Sequence, residues 1–165
     1  AMQGKEGRFI GVDSFAEFQG QTLGRLKGAE IDNMVVNIQQ QRPSVQAIMA
    51  AVGFGQAMFY EQDHLSVSPQ LIKEKLGGGI NVFFYDGDHS EVATAEGIAH
   101  FAPAFDDRLI LAVDDYSCPE VVAGTQLGLD SINFEVEDQV LFQRRQSSKD
   151  DFNYGMYVCI LKKRA

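Results

Sequence analysis

The chain alternates between short apolar runs that stop abruptly at acidic residues and stretches whose apolar positions recur at helical spacing. Arg8 to Val12 is a β-prone run ending at Asp13-Ser14, the pattern of a buried strand that runs into a polar loop. Residues 15–28 are rich in Gly and Gln without periodicity and predict a surface loop. Ile31, Met34, Val35 and Ile38 then recur at i, i+3, i+4, i+7, and Val45, Ile48, Met49 and Val52 repeat that spacing. Two amphipathic helices are therefore expected, meeting at Arg42-Pro43. Gly53 and Gly55 end the second, and Ala57 to Glu61 reads as a strand running into Gln62-Asp63-His64. Ser68 and Pro69 offer a cap and a first-turn proline for a helix over Gln70 to Leu76, with Gly77 as its stop.

The second half repeats this rhythm more strongly. Ile80 to Tyr85 (INVFFY) is almost uniformly apolar, as expected of a central parallel strand covered on both faces, and it ends at Asp86-Gly87-Asp88-His89. A helix over Glu91 to Ala104 is expected to place Val92, Ala95, Ile98, Ala99 and Ala102 on one face. Leu109 to Val113 is another buried strand, again ending in acid at Asp114-Asp115. Val140 to Arg144 and Met156 to Lys162 are β-prone runs expected to pair antiparallel at the edge of the sheet. Strand and helix in alternation predict an α/β fold, a mostly parallel sheet with helices on both faces.

Composition narrows the function classes. With 165 residues and 45% hydrophobic content, the chain fits one globular domain over residues 1–165. A net charge of −9 with 14 basic residues disfavours nucleic acid as partner. No apolar run approaches the roughly 20 residues that cross a bilayer, so no membrane partner is expected. The polar start, Ala1 to Arg8, is unlike a secretory signal, and the expected compartment is cytoplasmic. Cys118 and Cys159 form no metal or disulfide pattern and read as reduced thiols.

Ligands bind sheets of this kind at the carboxyl ends of the strands. Asp13, Asp63, Asp86, Asp88, Asp114 and Asp115 all follow predicted strands and should share one rim. Asp86, Asp88, Asp114 and Asp115 would repel one another without an intervening proton or cation. Hard oxygen ligands point to Mg2+ or another hard divalent cation. An acid at the end of the first strand, Asp13, suits a ribose and hence an adenosine-bearing cofactor.

The segments FIGVDSFAEF, YDGDHS with its following helix, LILAVDDYSCPEVVAGT and GMYVCILKK resemble class I S-adenosylmethionine-dependent methyltransferases, from Arg8 to Lys163 in order. They are most similar to the Asp-Gly-Asp-His branch, that of metal-dependent sugar and macrolide O-methyltransferases. The resemblance implies a Rossmann-like three-layer sandwich with an antiparallel C-terminal edge pair. It implies S-adenosylmethionine at Gly11, Asp13, Asp63 and Asp86, with Asp13 on the ribose and Asp63 or its neighbours beside the adenine. It implies a metal at Asp86, Asp114 and Asp115, and Asp88 as general base with His89 as rival for that role. The implied reaction is methyl transfer to a hydroxyl of a small molecule or sugar.

That family's first strand and its glycine-rich turn would precede Arg8, so the sheet is expected to lack its first strand. The unpaired inner edge then predicts a homo-oligomer. The alternative function is a non-catalytic, methyltransferase-like binding or assembly module. A metal-dependent hydrolase or nucleotide-binding protein using the same acids is a third reading, disfavoured by the lack of a nucleophile or phosphate loop.

Overall fold

The structure is a computed structural model that describes residues 8–12, 57–60, 62–142 and 155–165. Asp13, the expected loop over 15–28, the two helices around Pro43, Glu61 and residues 143–154 lie outside the described residues. The chain divides into two compact units, residues 1–67 and 68–165.

In the first unit, β1 (Phe9–Val12) and β2 (Ala57–Tyr60) pair in parallel, with Gly11 opposite Phe59. A 3-10 turn, His64–Ser66, follows β2. Asp63 caps it, its Oδ1 accepting the Leu65 N–H at 2.7 Å. Capping of this kind satisfies an amide that the turn itself leaves unpaired.

The second unit is built on a four-stranded sheet in the order β3-β4-β6-β5. Helix α1 (Pro69–Leu76) starts at the Ser68 cap and stops at Gly77, in the left-handed conformation at φ 69°, as its flanking residues predict. Strand β3 (Ile80–Tyr85) pairs in parallel with β4 (Phe105–Val113). Helix α2 (Glu91–Phe101), extended by a 3-10 turn over Ala102–Ala104, crosses between them. Helix α3 (Pro119–Ser131) leads to β5 (Phe134–Phe142), and β6 (Met156–Lys163) inserts antiparallel between β4 and β5. The fold is thus α/β with a mixed sheet, and its C-terminal pair is antiparallel as expected.

Helices α2 and α3 pack side by side. One sheet face is buried under them: Leu111, Val113 and Leu161 are 0% exposed, and Phe83 meets the ring of Phe101 from α2 at 5.5 Å. Each such aliphatic side chain contributes roughly 1.5–3 kcal/mol by leaving water. Closeness of the helices depends on Gly124. A Cβ there would run into the Glu91 carbonyl and sit 2.7 Å from Thr94 Cβ.

Several expectations are corrected. On α2 the buried stripe is Thr94, Ala95, Gly97, Ile98 and Phe101, whereas Val92 is 61% exposed. Val92 lies in the first turn after the Ser90 cap and points to water because the helix is rotated to bring Thr94 inward. Strand β4 begins at Phe105 and not Leu109, its first half carrying exposed Asp106, Asp107 and Arg108. Strand β5 begins at Phe134 and not Val140, six residues earlier than the apolar run indicates.

Among the described residues, the cover on β3 is one-sided, not the two-sided cover expected. Val82 and Phe84 are 62% and 52% exposed. They share their sheet face with Ile110, Ala112, Val158, Ile160 and Val140, which the registers place in adjoining rows. A charged row borders this apolar face, where Arg108 Nε donates to Glu137 Oε2 at 2.7 Å and Lys162 lies 3.8 Å from the other oxygen.

Candidate active site

Parallel pairing of β3 and β4 puts Tyr85 opposite Val113, so both strands end at the same height and release their acidic turns side by side. The ladder continues one residue further, because the Asp114 N–H donates to the Tyr85 carbonyl at 3.0 Å. Beyond that point the β4 turn is held twice. The Cys118 N–H donates to the Asp115 carbonyl at 2.9 Å to open α3, and the Tyr116 N–H donates to the Gly155 carbonyl at 3.1 Å. Asp115 adopts φ 53°, a left-handed conformation that few residues other than glycine, asparagine and aspartate accept.

This backbone directs Asp115 toward the β3 turn. Its Oδ2 lies 2.7 Å from His89 Nε2, with the carboxylate 16% and the imidazole 50% exposed. Asp86 joins them: one ligand atom from each of Asp86, His89 and Asp115 falls within 4.8 Å of the others. Two carboxylates and an imidazole at that range are a donor set that a divalent cation of the Mg2+ or Mn2+ type can bridge.

Asp88 and Asp114, the other acids of these two turns, are turned to local structure. Asp88 Oδ1 accepts the Ser90 N–H at 2.7 Å, and its carbonyl accepts from Tyr85 Oη at 3.1 Å and Thr94 Oγ1 at 3.4 Å. Asp114 Oδ1 accepts the Asp115 N–H at 2.9 Å. Neither belongs to the three-residue cluster. Of the residues implied to hold the cofactor, Gly11 is half-buried within β1 and Asp63 spends one oxygen on its cap.

Two aromatic residues border the β4 turn. Tyr116 stacks on Tyr157 at 4.7 Å and 18°, and Tyr157 Oη donates to Gln139 Oε1 at 2.7 Å. Burial raises the pKa of both phenols, so both stay neutral donors. Cys118 and Cys159 are free thiols, as expected, and burial also pushes both pKa values up, which keeps them protonated. Among the described residues, no helix is long and apolar enough to cross a membrane.

Sequence reasoning passed over Tyr85, which it read only as the last residue of a buried strand. The signal was there in part: a phenol placed last before a polar turn needs a partner for its hydroxyl when buried.

No family model and no curated protein matches this chain. Solved structures similar to it are methyltransferases. A TDP-rhamnose 3'-O-methyltransferase of calicheamicin biosynthesis is 16% identical at a TM-score of 0.44, over 94% of this chain and 58% of that one. Magnesium protoporphyrin IX methyltransferase from Synechocystis PCC 6803, with bound SAH, is 15% identical at a TM-score of 0.46, over 96% and 74%. The N-methyltransferase NodS from Bradyrhizobium japonicum WM9 is 10% identical at 0.48, over 95% and 86%. The chain spans 58% and 60% of the length of the calicheamicin enzyme in its two structures.

Proposed function

We propose that this chain serves methyl transfer from S-adenosylmethionine to a hydroxyl of a small molecule or sugar, with a divalent cation held by Asp86 and Asp115. The observation that carries the reading is the convergence of Asp86, His89 and Asp115 at the carboxyl ends of two parallel strands. The order of the acidic segments along the chain, which resembles the metal-dependent O-methyltransferases, supports it.

In this reading each residue has a task. The resemblance assigns Gly11, Asp13, Asp63 and Asp86 to the cofactor. Asp115 holds the imidazole of His89 through Nε2, as a carboxylate orients a catalytic histidine elsewhere. The other ring nitrogen, Nδ1, would be the group to take the proton of the acceptor hydroxyl; S-adenosylmethionine, when bound, would supply the electrophilic methyl, its carbon–sulfur bond breaking to release the neutral thioether. Preferring His89 to Asp88 for the proton is supported by the Asp115 contact that orients the imidazole, while Asp88 Oδ1 caps the Ser90 amide. A divalent cation in this site supplies Lewis acidity, lowering the pKa of a hydroxyl bound to it. Asp114 shapes the turn that presents Asp115 and stands as a further ligand. The same reading carries a cytoplasmic setting and association of two copies.

Calorimetric titration with S-adenosylmethionine and its demethylated product, with and without Mg2+, tests the proposal. Binding on the order of micromolar is expected. Asp115→Asn, which keeps the left-handed turn but loses the charge, is expected to weaken the Mg2+ dependence by about tenfold or more. Absence of cofactor binding in both conditions would overturn the reading.

A further inference from the structure

Tyr85 reaches both acidic turns from one buried position. Its carbonyl accepts the Asp114 N–H at 3.0 Å, and its hydroxyl donates to the Asp88 carbonyl at 3.1 Å. The side chain is only 7% exposed, and its ring lies directly under the turn, since a Cβ on Gly87 would sit 3.0 Å from Cζ and Oη. Thr94, 0% exposed, reaches the same Asp88 carbonyl with its Oγ1 at 3.4 Å. The β3 turn is therefore gripped in its middle, at Asp88, while the residues on either side of that grip, Asp86 and His89, carry the functional groups.

We propose that Tyr85 is a positioning residue for the Asp86, His89 and Asp115 cluster. One buried side chain and its own backbone fix the β3 turn and the β4 turn relative to each other. The proposal rests on the cation reading given above. It differs from a simple packing role in what it demands of the hydroxyl: a phenyl ring would fill the same space, yet would remove the shorter of the two side-chain bonds described at the Asp88 carbonyl. Outer groups that orient metal ligands are typically worth 10- to 100-fold in affinity.

Mn2+ binding to the full chain, followed by electron paramagnetic resonance, supplies the test. Four proteins are compared: the unchanged chain, Tyr85→Phe, Thr94→Val and Asp115→Asn. Tyr85→Phe is expected to bind Mn2+ about tenfold more weakly, with an altered line shape of the bound ion and an unchanged far-ultraviolet dichroism spectrum. Thr94→Val, which removes the longer bond to the same carbonyl and a side-chain bond to Tyr85 itself, is expected to move affinity in the same direction by less. Equal affinity in Tyr85→Phe and the unchanged chain, with Asp115→Asn weakened, would overturn the positioning role and leave the cation site standing. Should Tyr85→Phe not fold, unchanged affinity in Thr94→Val overturns the proposal. No Mn2+ binding by the unchanged chain would remove the cation reading and this proposal with it.

Discussion

Tyr85 also gives the molecule a dependence on alkaline pH. Its pKa rises from 10.0 to about 12 chiefly because burial disfavours the phenolate, with Asp88 and Asp86 adding to the shift and the bond from Thr94 opposing it. A folded-state pKa above the unfolded value means that stability is intact below pH 10 and is lost as pH climbs toward about 12. Urea denaturation at steps across that window should show the midpoint falling, and falling less steeply in Tyr85→Phe. Tyr116 and Tyr157, also raised by burial, keep part of the slope in that variant. At this scale the sequence is informative about Asp86, Asp88, Asp114 and Asp115, because the parallel β3 and β4 deliver their carboxyl ends to one side. It is silent on how each acid is spent. Asp88 and Asp114 are drawn to amides one and two residues away, while Asp115 swings to His89 through a left-handed backbone angle. Those choices depend on turn geometry that composition does not encode.

Among the elements, α3 shows how packing can hide a helix. Its interior holds Val121, Val122, Gly124, Thr125 and Gly128, residues that each weaken an isolated helix, and no helical run was expected there. The buried positions Val121, Gly124, Thr125, Gly128 and Leu129 do follow helical spacing, but glycines carry part of the stripe and no hydrophobicity pattern registers them. Their value is tertiary. Gly124 lets α3 approach the Glu91 carbonyl at the start of α2. Gly124→Ala should therefore destabilise the chain despite alanine's better helix propensity, by about 1–3 kcal/mol, the usual cost of overpacking. Chemical denaturation measures it, and a stabilised variant would mean that the helices part at no cost. Strand β5 was foreseen only at its apolar end, because Glu135, Glu137 and Asp138 interrupt the alternation where the β5–β6 register shifts.

For the second unit as a whole, the two outer strands of the sheet are unlike. The β5 side carries Glu135, Glu137, Asp138 and a register irregularity, devices that discourage edge pairing. The β3 side carries INVFFY, with no charge within it, beside an apolar face that includes Val82 and Phe84. Sequence periodicity alone makes such a strand look central, since it registers apolar character and cannot register which neighbours are present. Val82→Lys, on the exposed face, should raise the concentration at which the chain remains monodisperse, as read by light scattering. No change would mean that this face does not drive self-association.

This asymmetry sets a direction for anyone attaching something to the molecule. A fluorophore, an affinity tag or an engineered crystal contact placed along the acidic β5 side meets water and charge and leaves the chain's behaviour legible. The same group near Val82 or Phe84 would alter the exposed apolar face itself, and a gain in solubility there could be mistaken for a property of the label.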